Sequence, residues 1–345
     1  MRVGGKKIAL LNELEFARAD KNSDFDRVHR LEDFRKLAKA RMPEAYDKAP
    51  HAAAIVALAQ HYKARAFTVP DAFPAGLYEQ LGKLGLELEI SHEIFPERQI
   101  KTARQAAAIR DANRITAIGI AAAEKILRAA VIRAGKLHYR GKPLTSEILK
   151  TAIEVACLEG GALSMGTIAA GGKQACDPHE TGQGVLRANE LIIVDVFPRV
   201  LKTRYHGDMT RTFLKGRAND AQRRLVDAVL EAQRNTIAAL RAGVNGRDVH
   251  QRVVDTFAAK DFHTRRLKSH SEGFFHGTGH GLGLEIHEAP RASVVDCELL
   301  ENTVLTIEPG LYYPEIGACR IEDVVQVTKR GHRLLSDYHY EWILR

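Results

Sequence analysis

Residues Leu191–Val196 read Leu-Ile-Ile-Val-Asp-Val, with the carboxylate of Asp195 set inside an otherwise unbroken apolar run. A run of this kind reads as a strand buried on both faces. A carboxylate taken out of water there must be paired, hydrogen-bonded or bound to a cation. The fold therefore has to deliver a compensating group to the inside of a sheet. An arginine at the strand end is one solution, and a metal ion is another.

The pattern recurs. Asp208 opens Gly-Asp-Met-Thr-Arg-Thr-Phe, where strand alternation puts Asp208, Thr210 and Thr212 on one face. The segment between, Phe197–Gly207, contains Pro198 and returns the chain as a hairpin, so Asp195 and Asp208 face each other across two strands. Glu308 ends Val-Leu-Thr-Ile-Glu just before the turn signal Pro309-Gly310, and Glu322 shares a strand face with Arg320. His276, His280 and His287 place three imidazoles within twelve residues, among glycines that permit close backbone approach. Four carboxylates in one pocket repel and raise one another's pKa values. Two divalent cations cancel that charge. An oxygen-rich set with one imidazole favours manganese, cobalt, iron or zinc over a thiolate-bound metal.

Other chemistries are poorly served. The glycine-rich run 277–283 has Leu282 where a dinucleotide fingerprint needs its third glycine. Gly171-Gly172-Lys173 lacks the earlier glycine of a phosphate loop, and residues 162–166 lack the first glycine of a nucleophile elbow. Cys157, Cys176, Cys297 and Cys319 are far apart, which argues against a zinc knot and fits a reducing cytoplasm. No apolar run reaches membrane-spanning length, and the N-terminal stretch does not read as a signal peptide. The net charge of +8 is scattered; its densest cluster, Arg265, Arg266 and Lys268, has no aromatic interleaving, so no nucleic-acid partner is expected.

A length of 345 residues gives a prior of about two domains. Residues 1–98 read as a small α/β unit, with helices near 30–40, 52–62 and 76–84 and strands near 64–69 and 86–90. Residues 99–345 read as an α+β domain of two similar halves. One long helix is expected over 101–133, its apolar face formed by Ala108, Ala112, Ile115, Ile118, Ala122 and Ile126. Further helices follow at 145–158, 218–241 and 247–259. Strands are expected at 166–170, 191–196, 210–214, 274–275, 304–307, 320–327 and 333–335.

The stretches LIIVDVF, HGDMTRTF, HGTGHGLGLEIHE, LTIEPGLYY and CRIEDVV, in that order, resemble the superfamily of methionine aminopeptidases, Xaa-Pro aminopeptidases and prolidases. The resemblance implies a pita-bread catalytic domain, here preceded by the small α/β domain that prolidases and Xaa-Pro aminopeptidases carry. It implies that Asp195 chelates one metal, that Asp208 and Glu322 bridge two, and that His280 and Glu308 bind the other. A hydroxide between the ions would be the nucleophile, with Glu308 shuttling its proton. His179 and His287 would contact the reacting centre, His276 would line the proline pocket, and Tyr312 would line the substrate pocket. Thr210 and Arg320 would orient the carboxylates. Arg291 resembles the arginine with which some prolidases hold a dipeptide's terminal carboxylate.

The implied activity is hydrolysis of Xaa-Pro bonds in a dipeptide, by a cytoplasmic homodimer using two divalent ions, with manganese the expected metal. The alternatives are an Xaa-Pro aminopeptidase acting on longer peptides, and a metal-free binding module or creatinase-like hydrolase of the same fold. Two departures stand out. Phe197 occupies a position where the family commonly has glycine, and the two aspartates are thirteen residues apart, slightly more than usual.

Overall fold

The structure, a computed structural model, describes all 345 residues. The chain divides into two compact units, Met1–Pro96 and Glu97–Arg345.

The first unit contains two small sheets. Strands Lys6–Leu11 and Arg27–Arg30 pair in parallel, as do Ala66–Pro70 and Glu87–Ser91. Helix Pro50–His61 begins with proline at its first position and buries Ala52, Ala53, Ala54, Val56, Ala57, Leu58 and Ala59. Its small side chains let neighbours approach on several sides. Helices Leu31–Arg41 and Ala75–Lys83 complete the packing. The strands before residue 31 and the helix Glu13–Asn22 go beyond the sequence expectation. Lys-Lys-Ile-Ala-Leu-Leu shows no two-residue alternation, and helix 13–22 has no buried residue to give it an apolar face.

In the second unit, helix α1 (Ala103–Ala129) starts at a reciprocal cap. Thr102 Oγ1 accepts the Gln105 N–H at 3.3 Å, and Gln105 Oε1 accepts the Thr102 N–H at 2.8 Å. The helix stops short of the expected end, and Val131–Arg133 is a strand. Its buried face also differs from the expected stripe. Ile109, Ala112, Ile120, Ala123 and Leu127 are buried together with Asn113, Thr116 and Glu124, whereas Ile118 is 50% exposed. The polar members are satisfied individually, which an apolar stripe cannot reveal. Asn113 Nδ2 donates to the Ile109 carbonyl, Thr116 Oγ1 to the Ala112 carbonyl, and Glu124 accepts from Tyr338, His339 and Arg128.

Helix α2 (Ser146–Glu159) packs beside α1. Together they cover a four-stranded sheet with the order β1 (Ile168–Gly171), β2 (Leu191–Val196), β3 (Met209–Lys215) and a short C-terminal strand, Ile343–Leu344. Helices α3 (Asp220–Ala239) and α4 (Gly246–Ala258) form the second pair. They pack on the other side, against Leu191 and Leu214 of the first sheet and against Leu305, Ile307 and Val325 of a second. That second sheet contains β4 (Gly279–Gly281), β5 (Glu288–Ala292), β6 (Val304–Ile307), β9 (Asp323–Thr328) and β10 (Gly331–Leu334), ordered β5-β4-β6-β9-β10. Between β6 and β9 the chain forms a hairpin of β7 (Gly310–Tyr313) and β8 (Gly317–Arg320).

The expected single strand 320–327 is thus two strands in different sheets, interrupted at Ile321-Glu322. The break frees the Glu322 N–H to bond the Thr210 carbonyl across the unit at 3.1 Å. The expected strand 274–275 is a loop.

Candidate metal centre

The hairpin joining β2 and β3 pairs Asp195 with Thr210 and Val196 with Met209. Asp208 therefore lies diagonal to Asp195 on the same sheet face, close enough to interact, rather than directly opposite. Its backbone N–H is held by Asn113 Oδ1 of α1 at 3.0 Å. The second sheet supplies the facing ligands. Gly279 brings β4 against β6 so closely that a Cβ there would lie 1.8 Å from the Thr306 carbonyl oxygen. This contact brings His280, whose N–H bonds Thr306 Oγ1 at 3.1 Å, close to Glu308.

Ligand atoms of Asp208, His280 and Glu322, all buried, lie within 4.8 Å of one another. Glu308 Oε1 is 3.4 Å from His280 Nε2, and Asp208 Oδ2 is 3.7 Å from it. Burial, reinforced by the charges of Asp195 and Glu308, holds the Asp208 carboxyl well above its ordinary range. Glu322 is raised in the same way, by burial and then by Asp208 and Glu308. Glu308 is pushed up to about 7, mainly by burial.

Two details show what this set fits. His280 Nδ1 lies 3.1 Å from the Gly281 carbonyl, which can only accept, so that nitrogen carries the ring hydrogen. Burial pushes the ring down to about 3, so Nε2 is a bare lone pair aimed at two carboxylate oxygens. Asp195 is likewise half engaged. Its Oδ2 accepts from Arg320 Nη2 at 2.7 Å, whereas Oδ1 is buried without a partner. A lone pair facing acids and an orphaned carboxylate oxygen are donor sets that a cation satisfies.

Behind the ligands runs a chain of fixed hydrogen bonds. Arg320 Nη1 donates to Tyr312 Oη at 2.9 Å. The tyrosine hydroxyl then donates to His276 Nε2 at 2.9 Å, and His276 Nδ1 donates to the Gly277 carbonyl at 2.7 Å. Burial and the Arg320 charge push His276 down to about 3, so this ring is neutral too. Thr210 Oγ1 donates to Glu322 Oε2 at 2.8 Å and accepts from Arg320 Nε at 3.4 Å.

A cavity of about 1000 Å³ opens over this group. The five expected ligands, the three histidines His179, His276 and His287, and Arg291 and Arg320 all line it. His280 and His287 meet edge to face, with ring centroids 4.4 Å apart. Arg291 makes no ion pair with any carboxylate. Tyr312 is placed differently from the expectation. It is fully buried behind His276 and Arg320 and forms no part of the cavity wall, because its hydroxyl is consumed by those two partners. Thr210 is also fully buried, touching Glu322 and Arg320.

Phe197 lines the cavity with Asp195, and its ring is packed against Gly166, where a Cβ would stand 3.3 Å away. Sequence reading did not assign roles to Asn113 and Arg211. Arg211 is buried, and donates to Asp323, to the Glu322 and Thr210 carbonyls and to the Tyr338 and His339 carbonyls. Its alternation with Thr210 and Thr212 in a buried strand was the available signal.

The chain belongs to metallopeptidase family M24, whose model matches residues 107–329. An Xaa-Pro dipeptidase of Pyrococcus horikoshii is 34% identical over 179 residues, which cover 51% of this chain and 48% of the relative. The chain thus spans about half the length of that curated relative. An uncharacterised peptidase of Staphylococcus haemolyticus is 31% identical over 252 residues, 72% of this chain and 66% of the relative. Among solved structures, an Xaa-Pro dipeptidase from Bacillus anthracis superposes with a TM-score of 0.79 at 22% identity, over 97% of this chain and 85% of that one. The X-Pro aminopeptidase from Thermotoga maritima gives 0.77 at 21% identity, over 99% and 88%. These likenesses establish the α+β pita-bread fold.

Proposed function

We propose that this chain hydrolyses Xaa-Pro bonds in dipeptides with the help of two divalent metal ions. The observation that carries the reading is the convergence of Asp195, Asp208, His280, Glu308 and Glu322 on one cavity, with the Asp195 Oδ1 orphan and the His280 lone pair both directed to hold a cation. Bound there, the ions would supply a water of lowered pKa and polarise the scissile carbonyl.

The remaining work belongs to the chain. Glu308 takes the proton of the attacking water and returns it to the leaving proline nitrogen. His287 is held below its ordinary pKa, chiefly by burial, and so stands in the cavity as a neutral ring. Together with His179, on the cavity wall, it offers hydrogen bonds to the oxyanion that develops at the scissile carbon. His276, locked by Tyr312 and the Gly277 carbonyl, presents a ring face toward the proline. Arg291, without an acid of its own, receives the terminal carboxylate as a bidentate fork. Manganese, a cytoplasmic location and a homodimeric state belong to the same proposal on the strength of family resemblance.

The second reading, an Xaa-Pro aminopeptidase, draws on the cavity volume of about 1000 Å³, which lies at the upper end of the range for small-ligand sites and leaves room for a longer peptide. One experiment separates the two. The protein is stripped with a chelator, reloaded with manganese, cobalt or zinc, and offered Ala-Pro and Ala-Pro-Ala. Metal-restored release of proline from Ala-Pro alone supports the dipeptidase. Cleavage of the first bond of the tripeptide supports the aminopeptidase. Metal binding without turnover of either overturns Xaa-Pro hydrolysis.

A further inference from the structure

We propose that Glu288, with Lys101 as its buried counter-charge, is the positioning residue that sets Arg291 in the cavity; the inference rests on the reading of Arg291 as the carboxylate-binding group. Glu288 follows His287 directly and begins β5, the edge strand that carries Arg291. Its side chain is turned away from the cavity and nearly buried, at 7% exposure. Lys101 Nζ, on a side chain 2% exposed, donates to Glu288 Oε2 at 2.8 Å. Arg98 donates to Oε1, which also accepts the Glu285 N–H at 3.0 Å. The carboxylate stays charged there because Lys101 and these hydrogen bonds outweigh its burial, and its pKa lies below the ordinary value.

The turn between β4 and β5 is shaped to admit this group. A Cβ on Gly283 would stand 2.8 Å from a Glu288 oxygen. On its other side the turn is held by His206, whose N–H and Nδ1 both address the Gly283 carbonyl, at 2.9 and 3.3 Å.

The consequence for Arg291 follows from strand geometry. Side chains alternate along β5, so Glu288, Pro290 and Ala292 share one face and Ala289 and Arg291 the other. Pro290 and Ala292 are buried, and Ala289 and Arg291 are exposed. An edge strand is paired on one side only, so its register rests on the side chains of its inward face. Here the register shifts between His280 and Gly281, so the ladder itself is irregular beside the catalytic histidines. The charge of Glu288, pinned by three donors, adds to buried Pro290 and Ala292 the anchor that keeps β5 from slipping and turning Arg291 out of the cavity.

The test compares wild type with E288Q, an isosteric change that removes the charge, in the full metal-loaded chain. Amide hydrogen exchange is read first. The segment 282–292 is expected to exchange at least tenfold faster in E288Q, with β6 unchanged. Unchanged exchange in 282–292 overturns the proposal whatever the activity. Global unfolding, seen as faster exchange in β6 as well, is handled by E288D, which keeps the charge and shortens the reach; it is expected to show the local effect alone.

Kinetics then read the link to Arg291. KM for Ala-Pro is expected to rise about tenfold in E288Q with kcat within a few-fold, whereas Ala-Pro-amide, lacking the carboxylate, changes little. In an R291M background the E288Q change is expected to add nothing further to KM. Equal losses on both substrates, or additive effects with R291M, overturn the proposal. A wild-type chain that binds metal and cleaves neither substrate overturns the Xaa-Pro reading instead, and the exchange measurement still decides the anchor.

Discussion

At the scale of single residues the centre is a set of half-satisfied groups. Asp195 gives one oxygen to Arg320 and keeps the other idle, and His280 gives one nitrogen to a carbonyl and keeps the other bare. Phe197 stands on the cavity wall at a position where the resemblance leads one to expect glycine. Its ring lines the same cavity as Asp195 and Arg291. F197A is therefore expected to widen the space for the residue before proline. The kcat/KM ratio of Phe-Pro over Ala-Pro should rise about tenfold, the scale on which pocket walls discriminate apolar groups; an unchanged ratio would show that the ring borders no part of the substrate. The carboxylates and His280 were legible in the sequence because each is an acid or imidazole in an apolar or glycine-rich setting. The setting of Tyr312 is not legible, because a tyrosine in a conspicuous motif looks the same in sequence whether its hydroxyl faces substrate or, as here, two buried partners.

At the scale of elements the expected helices match the structure to within a few residues at most ends, whereas Glu13–Asn22 and Pro43–Lys48 have no expected counterpart, and which side of a helix is buried is not legible. The face of α1 carries Asn113, Thr116 and Glu124 inward, each with its own acceptor or donor, so a search for apolar period finds the wrong stripe. The two-sheet split at Ile321-Glu322 was invisible for a related reason. All of 320–325 is buried, and a continuous buried run does not say which sheet each half joins. Helix α3 offers a clean check that capping here is structural. Asn219 Oδ1 accepts the Gln222 N–H at 2.8 Å and the Gln222 side chain accepts the Asn219 N–H at 3.0 Å. N219A should lower unfolding free energy by about 1 kcal/mol in urea titrations. Metal stoichiometry should stay as in wild type, since α3 contributes no ligand.

At the scale of the whole molecule the metal-binding unit is a fold that stores like charge at its centre. In the metal-free chain Asp208 and Glu322 are raised, and Glu308 is pushed up to about 7. A carboxyl whose pKa is higher folded than unfolded contributes stability below its unfolded value and loses it as pH rises through the folded one. Because the buried rings of His276 and His280, pushed down to about 3, act in the opposite sense over part of this range, the acids are read by difference: E308Q should gain melting temperature relative to chelated wild type as pH climbs from about 4.5 to about 7. Metal must displace those protons, so the gain in melting temperature on adding manganese should grow over the same interval. Scanning calorimetry of wild type and E308Q without metal, and of wild type with metal, checks both. A difference between E308Q and wild type that stays flat between about pH 4.5 and about pH 7 would contradict the arrangement of acids described above.

The C-terminal strap bears on how this protein can be cut or tagged. Ile343–Leu344 pairs in parallel with the end of β3, and the Trp342 carbonyl receives the Leu214 N–H at 2.7 Å. Upstream, the Tyr338 and His339 carbonyls receive Arg211, whose next hydrogen bond reaches the backbone of Glu322. Trimming residues 336–345 would strip a buried guanidinium of two acceptors one residue from the ligand-bearing face of β3. An affinity handle placed at the amino-terminal end leaves that strap untouched, and a truncation series that looks conservative on paper would be, for this chain, an operation on the support of its candidate metal centre.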